Sequence, residues 1–300
     1  MRRFIIWLLI FTAATLCVDI AVGQFYDYLF TRSTLRINGV EHALLDADED
    51  VVVLGNSAGS THFDAGSLER QLGVRCTNAA TSGSSLQFNL VALKGLLARH
   101  RPKAVILALN PHNFCRKGLG RSTINFYSYY GRSSEAFDSV LAELYPRRYY
   151  FLRSNLVRID RNIVRHFAYK TGAITYPYEK GFEPIPHPRR HPSPTYNPHQ
   201  YIPLPECRAH MEEFARLCHE AGVKLIVALT PHTFITADYS HITSMLHDIA
   251  SRYEFIVWDD SLHPSFNSDM NLFFDEDHLN IDGARKYTDT VALRLRTIIA

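Results

Sequence analysis

Ser57 closes the run Val51-Val52-Val53-Leu54-Gly55-Asn56-Ser57. β-branched residues in such a run predict a buried strand, and Gly55 lets the backbone turn sharply at its end. A hydroxyl at the carboxyl end of a strand lies where open α/β sheets gather their ligands, beside the start of the next helix. That place suits a nucleophile, and it equally suits a helix cap. A serine attacks a carbonyl only when a base takes its proton, a third group orients the base, and donors receive the oxyanion. The base candidate is His278 in Asp275-Glu276-Asp277-His278. A carboxylate three residues before a histidine can fold back onto Nδ1, fix the tautomer and leave Nε2 facing a serine, so Asp275 is the candidate orienter. Asp260-Ser261-Leu262-His263 has the same spacing. His278 is preferred because Gly283 and a clean terminal helix pattern follow it. A donor candidate is Gly83, in Asn78-Ala79-Ala80-Thr81-Ser82-Gly83-Ser84, where a backbone N–H can approach an anion or the chain can simply turn.

A second pattern occurs twice. Asn110-Pro111-His112-Asn113-Phe114 and Thr230-Pro231-His232-Thr233-Phe234 each follow an apolar strand run. This marks Asn110, His112 and His232 as candidate substrate-binding residues on the same edge as Ser57. Two similar turns with capping polar residues would leave the same trace.

The elements that must position these residues alternate from residue 50 onward. Strands are expected at Val51–Leu54, Arg75–Asn78, Ala104–Leu109, Lys224–Leu229 and Phe255–Trp258. Helical patterns fall at about 60–72, 86–100, 206–221 and 240–252, with a last one at Ile281–Ile299. Short apolar strands alternating with helices predict a parallel sheet of about five strands covered on both faces. The stretch 111–205 interrupts the rhythm and is read as one insertion after the third strand. Its first part is rich in Tyr, Phe and Arg; Tyr127, Tyr129, Tyr130, Arg147, Arg148, Tyr149 and Tyr150 could line a glycan site or pack a helical lid. Its second part is dense in proline, which excludes helix and central strand. His187, His191 and His199 lie in that coil without a shared face, and no metal is expected.

Arg2 and Arg3 precede an uncharged apolar run, Phe4–Val18, which reaches membrane-spanning length if it continues through Val22. The basic pair predicts a single-pass inner-membrane anchor with the N-terminus in the cytoplasm and the rest periplasmic or extracellular. Cleavage near Ala21-Val22-Gly23 and secretion is the alternative. The expected organisation is 1–23 as anchor or signal, 24–49 as linker and 50–300 as the folded domain. Five cysteines follow no metal spacing, and an exported domain could pair some of them. The 300 residues carry 32 Lys and Arg against 30 Asp and Glu, a net charge of +2 with no long single-sign run, so nothing calls for nucleic acid.

Gly55-Asn56-Ser57, Asn78-x-x-x-Ser82-Gly83 and Asp275-x-x-His278 occur in an order that resembles the SGNH, or GDSL-like, hydrolases. Asn56 stands where that family usually has Asp. The resemblance covers about 50–114 and 206–300. It implies a three-layer α/β/α, flavodoxin-like fold, Ser57 as nucleophile, His278 as base and Asp275 as its orienter. It also implies an oxyanion hole from the N–H groups of Ser57 and Gly83 and an Asn side chain, with no cofactor. The family's third block, Gly-x-Asn-Asp, is replaced by Asn110-Pro111-His112-Asn113, and Asn113 is taken as the third donor. By analogy with exported members of the family, the expected activity is ester hydrolysis or O-acyl transfer on an acylated cell-surface glycan, beside other membrane glycan-modifying proteins. An anchored, inactive accessory protein of that machinery is the alternative, since the oxyanion block departs from the pattern.

Overall fold

A computed structural model describes residues 1–32, 38–115, 134–144, 154–158, 180–188 and 192–299, with a few single positions between them. Of the insertion residues singled out above, Tyr127, Tyr129, Tyr130, Arg148 and Tyr150 lie outside the described residues, as does His191. The chain forms two compact units, one of residues 1–37 with 124–177, the other of 38–123 with 178–300. Within the stretch 111–205, residues 124–177 fall in the first unit and 178–205 in the second.

The larger unit is built on five parallel strands: β1 (Val51–Gly55), β2 (Cys76–Asn78), β3 (Ala104–Leu109), β4 (Lys224–Leu229) and β5 (Ile256–Asp259), in the order β2-β1-β3-β4-β5. Four of the five contain or border long buried runs, as a sheet covered on both faces requires. Side chains alternate between faces. Val51, Val53, Ile106, Ala108, Ile226 and Ala228 join one core with Phe63, Leu68, Tyr287, Val291 and Leu295. Those partners come from the loop after α3 (Ser57–His62), from α4 (Ala65–Leu72) and from α11 (Ile281–Ile299). The opposite layer holds α5 (Leu86–Leu97), α8 (Pro205–Ala221) and α9 (Ser240–Tyr253). The result is the expected three-layer α/β/α sandwich.

Two local readings change. The helix expected over 60–72 is two: α3 begins at Ser57, and Asp64 caps α4 by accepting the Ser67 N–H at 2.9 Å. The stretch 24–49 is not a linker. The first helix, α1, runs Arg2–Arg32, and α2 (Gly39–Leu45) buries Val40, Ala43 and Leu44. Burial pushes the Cys207 thiol up to about 11.

In the smaller unit, Arg2–Phe25 of α1 is long and apolar enough to cross a membrane. The Asp19 carboxylate on it accepts the Ser154 hydroxyl at 2.6 Å and the Leu156 N–H at 2.9 Å. Asn155 donates to the Asp19 carbonyl at 2.8 Å, and its side chain fills the space that any Cβ on Gly23 would need. The short helix α7 (Asn155–Arg158) is thereby seated on Asp19 and Gly23, one turn apart. Another helix of this unit, α6, spans Glu135–Leu144.

Strand order reverses between β1 and β3. Gly55 has φ +153°, and a Cβ on it would lie 2.1 Å from the Ala108 carbonyl oxygen. No side chain fits without parting β1 from β3. Gly55→Ala is expected to destabilise the protein by on the order of 3 kcal/mol, the scale of a strained backbone site in a core. Urea denaturation checks this; a midpoint equal to wild type would contradict it.

Candidate active site

The crevice beyond the strand ends at such a reversal is where α/β sheets present their loops to ligands. Ser57 is the first residue of α3. The cap is Asn56, whose Oδ1 accepts the Ala58 N–H at 3.0 Å. Ser57 is thus a helix N-terminal residue, and its neighbour does the capping. Its hydroxyl is left for another partner, which is His278: the Ser57 hydroxyl and His278 Nε2 are 2.8 Å apart. His278 Nδ1 meets both oxygens of Asp275, at 2.8 and 2.9 Å. A carboxylate at Nδ1 places the proton there and leaves Nε2 to accept from the serine. Asp275 Oδ1 also accepts the N–H groups of Asp277 and His278, each at 2.9 Å.

Burial opposes charge on both partners. For Asp275 the His278 hydrogen bond, its charge and the two backbone N–H groups outweigh burial and hold the carboxyl below its ordinary range. For His278 burial pulls downward, but the Asp275 hydrogen bond and the charges of Asp275 and Asp277 win and raise it above 6.5. The competing pair is occupied elsewhere. Asp260 is buried and held by both guanidinium nitrogens of Arg294, at 2.7 and 2.9 Å, and by the Tyr287 hydroxyl at 3.0 Å. His263 Nδ1 caps α10 (Pro264–Asn267) by accepting the Ser265 N–H at 3.2 Å.

The candidate donors lie on the loops after β2 and β3. Gly83 has φ +77° and is exposed, with no atom within 4 Å of where a Cβ would stand. Its loop is tied to the end of β1, for Thr81 N and the Ser84 hydroxyl both donate to the Gly55 carbonyl, at 2.9 and 2.8 Å. Asn113 reaches the cap itself: Asn56 Nδ2 donates to Asn113 Oδ1 at 2.7 Å. Because Asn56 Oδ1 is committed to Ala58, its Nδ2 must face Asn113, and Asn113 must answer with its oxygen. The Asn113 Nδ2 then turns away from Asn56. An amide N–H₂ left unspent in this way can donate to a developing oxyanion.

Asn110, His112 and His232 sit at the expected edge, but all three are buried. Asn110 accepts the Thr230 hydroxyl at 2.6 Å and donates to Asp277 Oδ1 at 2.9 Å. His112 Nδ1 stands 3.8 Å from the same carboxylate. His232 Nδ1 accepts the Phe234 N–H at 3.1 Å, and burial followed by the nearby His112 lowers its pKa to about 3. Through Asn110 these surroundings hold the 275–278 loop to the ends of β3 and β4.

Sequence reasoning missed Asp277, the role of Asn56, and the strap from Lys180 to Pro205. Along that strap, Lys180 O accepts from Asn78 N, Glu183 N donates to Ser60 O, and Ile185 O accepts from Ile281 N, all at 2.8–2.9 Å. Further on, Thr195 N donates to Thr233 O and Leu204 N to Phe114 O, each at 2.9 Å. A proline-rich chain has few N–H groups to satisfy, so it can cross a polar edge in extended form. Among its histidines, His187 pairs with Asp282 at 3.2 Å and His199 packs edge-on against Tyr201.

No protein-family model matches the chain, and no curated protein matches it. Solved structures similar to it include TesA, at 11% identity over 83% of this chain and 98% of that one, with a TM-score of 0.45. A lipase/acylhydrolase from Enterococcus faecalis is 11% identical over 82% and 95% of the two chains, with a TM-score of 0.42. The esterase EstA from Pseudoalteromonas sp. is 10% identical over 83% and 97%, with a TM-score of 0.44.

Two outcomes follow from the geometry. Because His278 must be neutral to accept a proton and its pKa is raised, reactivity of Ser57 toward a fluorophosphonate should be half-maximal above pH 6.5 and fall as pH drops through that value. Asp275→Asn removes the carboxylate, so the midpoint should move down and the rate should fall by about 10⁴-fold. A pH–rate profile of both proteins measures this; an unshifted midpoint would contradict it. Asn113→Ala should lower kcat on a short-chain ester by about 10²–10³-fold, the usual loss of one oxyanion donor. A kcat within twofold of wild type would remove Asn113 from the site.

Proposed function

We propose that this protein is a serine-dependent ester hydrolase or O-acyltransferase of the SGNH type. The observation that carries the reading is the unbroken series from Asp275 through His278 to the Ser57 hydroxyl, with every step at 2.8–2.9 Å. Ser57 Oγ attacks the ester carbonyl while His278 Nε2 takes its proton. The oxyanion is received by the N–H groups of Ser57 and Gly83 and by Asn113 Nδ2. The tetrahedral intermediate collapses, His278 returns the proton to the departing alkoxide, and an acyl-serine remains. Water activated by His278 then releases the acid, or a sugar hydroxyl takes the acyl group.

We further propose that the N-terminal helix is kept as a membrane anchor, with the sheet unit on the outer side. In support, cleavage near residue 23 would remove the Asp19 carboxylate that receives Ser154, Asn155 and Leu156. An anchored enzyme outside the cell meets acylated envelope or exported glycans, and these are the proposed substrates.

The purified chain should be labelled by a fluorophosphonate, and Ser57→Ala should abolish labelling with little change in melting temperature. His278→Ala should do the same, while His263→Ala should label normally. Labelling that persists in Ser57→Ala would refute Ser57 as nucleophile. Mass spectrometry of an acylated glycan and of a deacylated acceptor, each incubated with enzyme, separates release from transfer.

A further inference from the structure

His62 closes the helix that Ser57 opens. It is fully buried, and its Nε2 accepts the N–H of Leu279 at 2.9 Å. Leu279 is itself fully buried and follows His278 directly. The first and last residues of one short helix thus touch the same strand of chain: Ser57 meets the side chain of His278, and His62 meets the next backbone N–H. We infer that His62 is a positioning residue for the base, which fixes the distance between His278 Nε2 and Ser57 Oγ by tying the nucleophile's helix to the base's own backbone. This rests on the reading of Ser57 and His278 as the working pair.

The hydrogen bond dictates the form of the ring. An Nε2 that accepts an N–H carries no proton, so the neutral imidazole holds its proton on Nδ1. That Nδ1 is buried without a hydrogen-bond partner. The groups that face the ring are His278, 6.5 Å away between centroids and edge-on, Tyr287 at 6.3 Å, and the more distant Asp275. The Thr288 hydroxyl holds its backbone carbonyl at 3.2 Å. Burial, followed by the charge of His278, drives the His62 pKa well down, and Asp275 opposes this without prevailing. His62 therefore stays neutral while His278 gains a proton during catalysis. A charged His62 would lose its acceptor and would also repel the imidazolium next to it.

A glutamine can place Oε1 near the position of His62 Nε2 and accept from Leu279, whereas a phenylalanine fills the space and accepts nothing. With a short-chain ester, His62→Phe should lower kcat by about 100-fold, the cost of a small misplacement of reacting groups, with KM changed less than threefold. His62→Gln should remain within about fivefold of wild type. Independently of turnover, NMR titration should find the His278 pKa falling toward 6.5 in His62→Phe as the ring loosens from Asp275, and still raised in His62→Gln. The same spectra of the wild type should show His62 as the Nδ1–H tautomer with no titration between pH 5 and 9. Full activity in His62→Phe, equal loss in both variants, or a titrating His62 would overturn the inference. If His62→Phe does not fold, the His62→Gln rate and the wild-type tautomer still decide it. A wild type with no esterase activity and no phosphonate labelling would defeat the Ser57 reading, and the His278 titrations would still test the tie through Leu279.

Discussion

The hydrogen bond between Ser57 and His278 spans 221 residues of sequence, and the sheet unit is arranged so that it can form. Five strands in parallel put every strand-to-helix loop on one edge. Reversal of strand order between β1 and β3 opens the crevice there, and Gly55 lets the two strands close beneath it. The loop after β1 then brings Ser57, the loop after β2 brings Gly83, and the loop after β3 brings Asn113. His278 comes from outside the sheet, from the turn that enters the last helix. A turn of that kind has no ladder to hold it, so its position must be set by side chains.

Several bonds set it. The 273–279 segment folds on itself through the paired Phe273 and Leu279 and the 2.8 Å bond from Phe274 N to His278 O. Asn280 ends it by accepting Asp282 N and Gly283 N, each at 3.1 Å, which starts α11. Asp277 ties it to β3 through Asn110, and Thr230 extends that chain to β4. Glu276 O accepts Thr233 N at 2.9 Å, and the strap is joined to the same place through Thr195. Asn110, Thr230, Thr233 and Asn280 are buried, and each is hydrogen-bonded within this set, which is the condition under which a polar network rigidifies a site.

This division explains what could be read from the sequence. β1, β3 and β4 were legible because continuous apolar runs have one structural meaning in a covered sheet; their limits differ from the expected ones by a residue or less. Ser57, Asp275 and His278 were legible because their spacing carries local geometry: a strand end, and a carboxylate one turn before a histidine. Asn113 came only from resemblance, since no short-range rule says which of three polar residues after β3 will reach Asn56. Asp277 and His62 were invisible for the same reason. Their partners are 167 and 217 residues away, and no pattern in their own surroundings names those partners. The 24–49 stretch was misread because a short buried helix such as α2 has too few turns to show a period.

The histidines of this edge show how one fold separates a candidate base from its neighbours. His62, His232, His263 and His278 are the same side chain with different partners. His62 and His232 each accept a backbone N–H, and burial holds both neutral. His263 spends its Nδ1 on a helix cap, and its sequence partner Asp260 is already neutralised by Arg294. Only at His278, among these four, does a carboxylate face one ring nitrogen and a hydroxyl the other. Burial lowers His62 and His232 and opposes the rise at His278, so it is not what sets His278 apart. What selects it is where the uncompensated carboxylate lies, and that is fixed by Asp275 receiving the N–H groups of its own turn. The charge that makes His278 basic is thus held by the backbone that positions it, and moving the turn would cost the histidine its geometry and its pKa together.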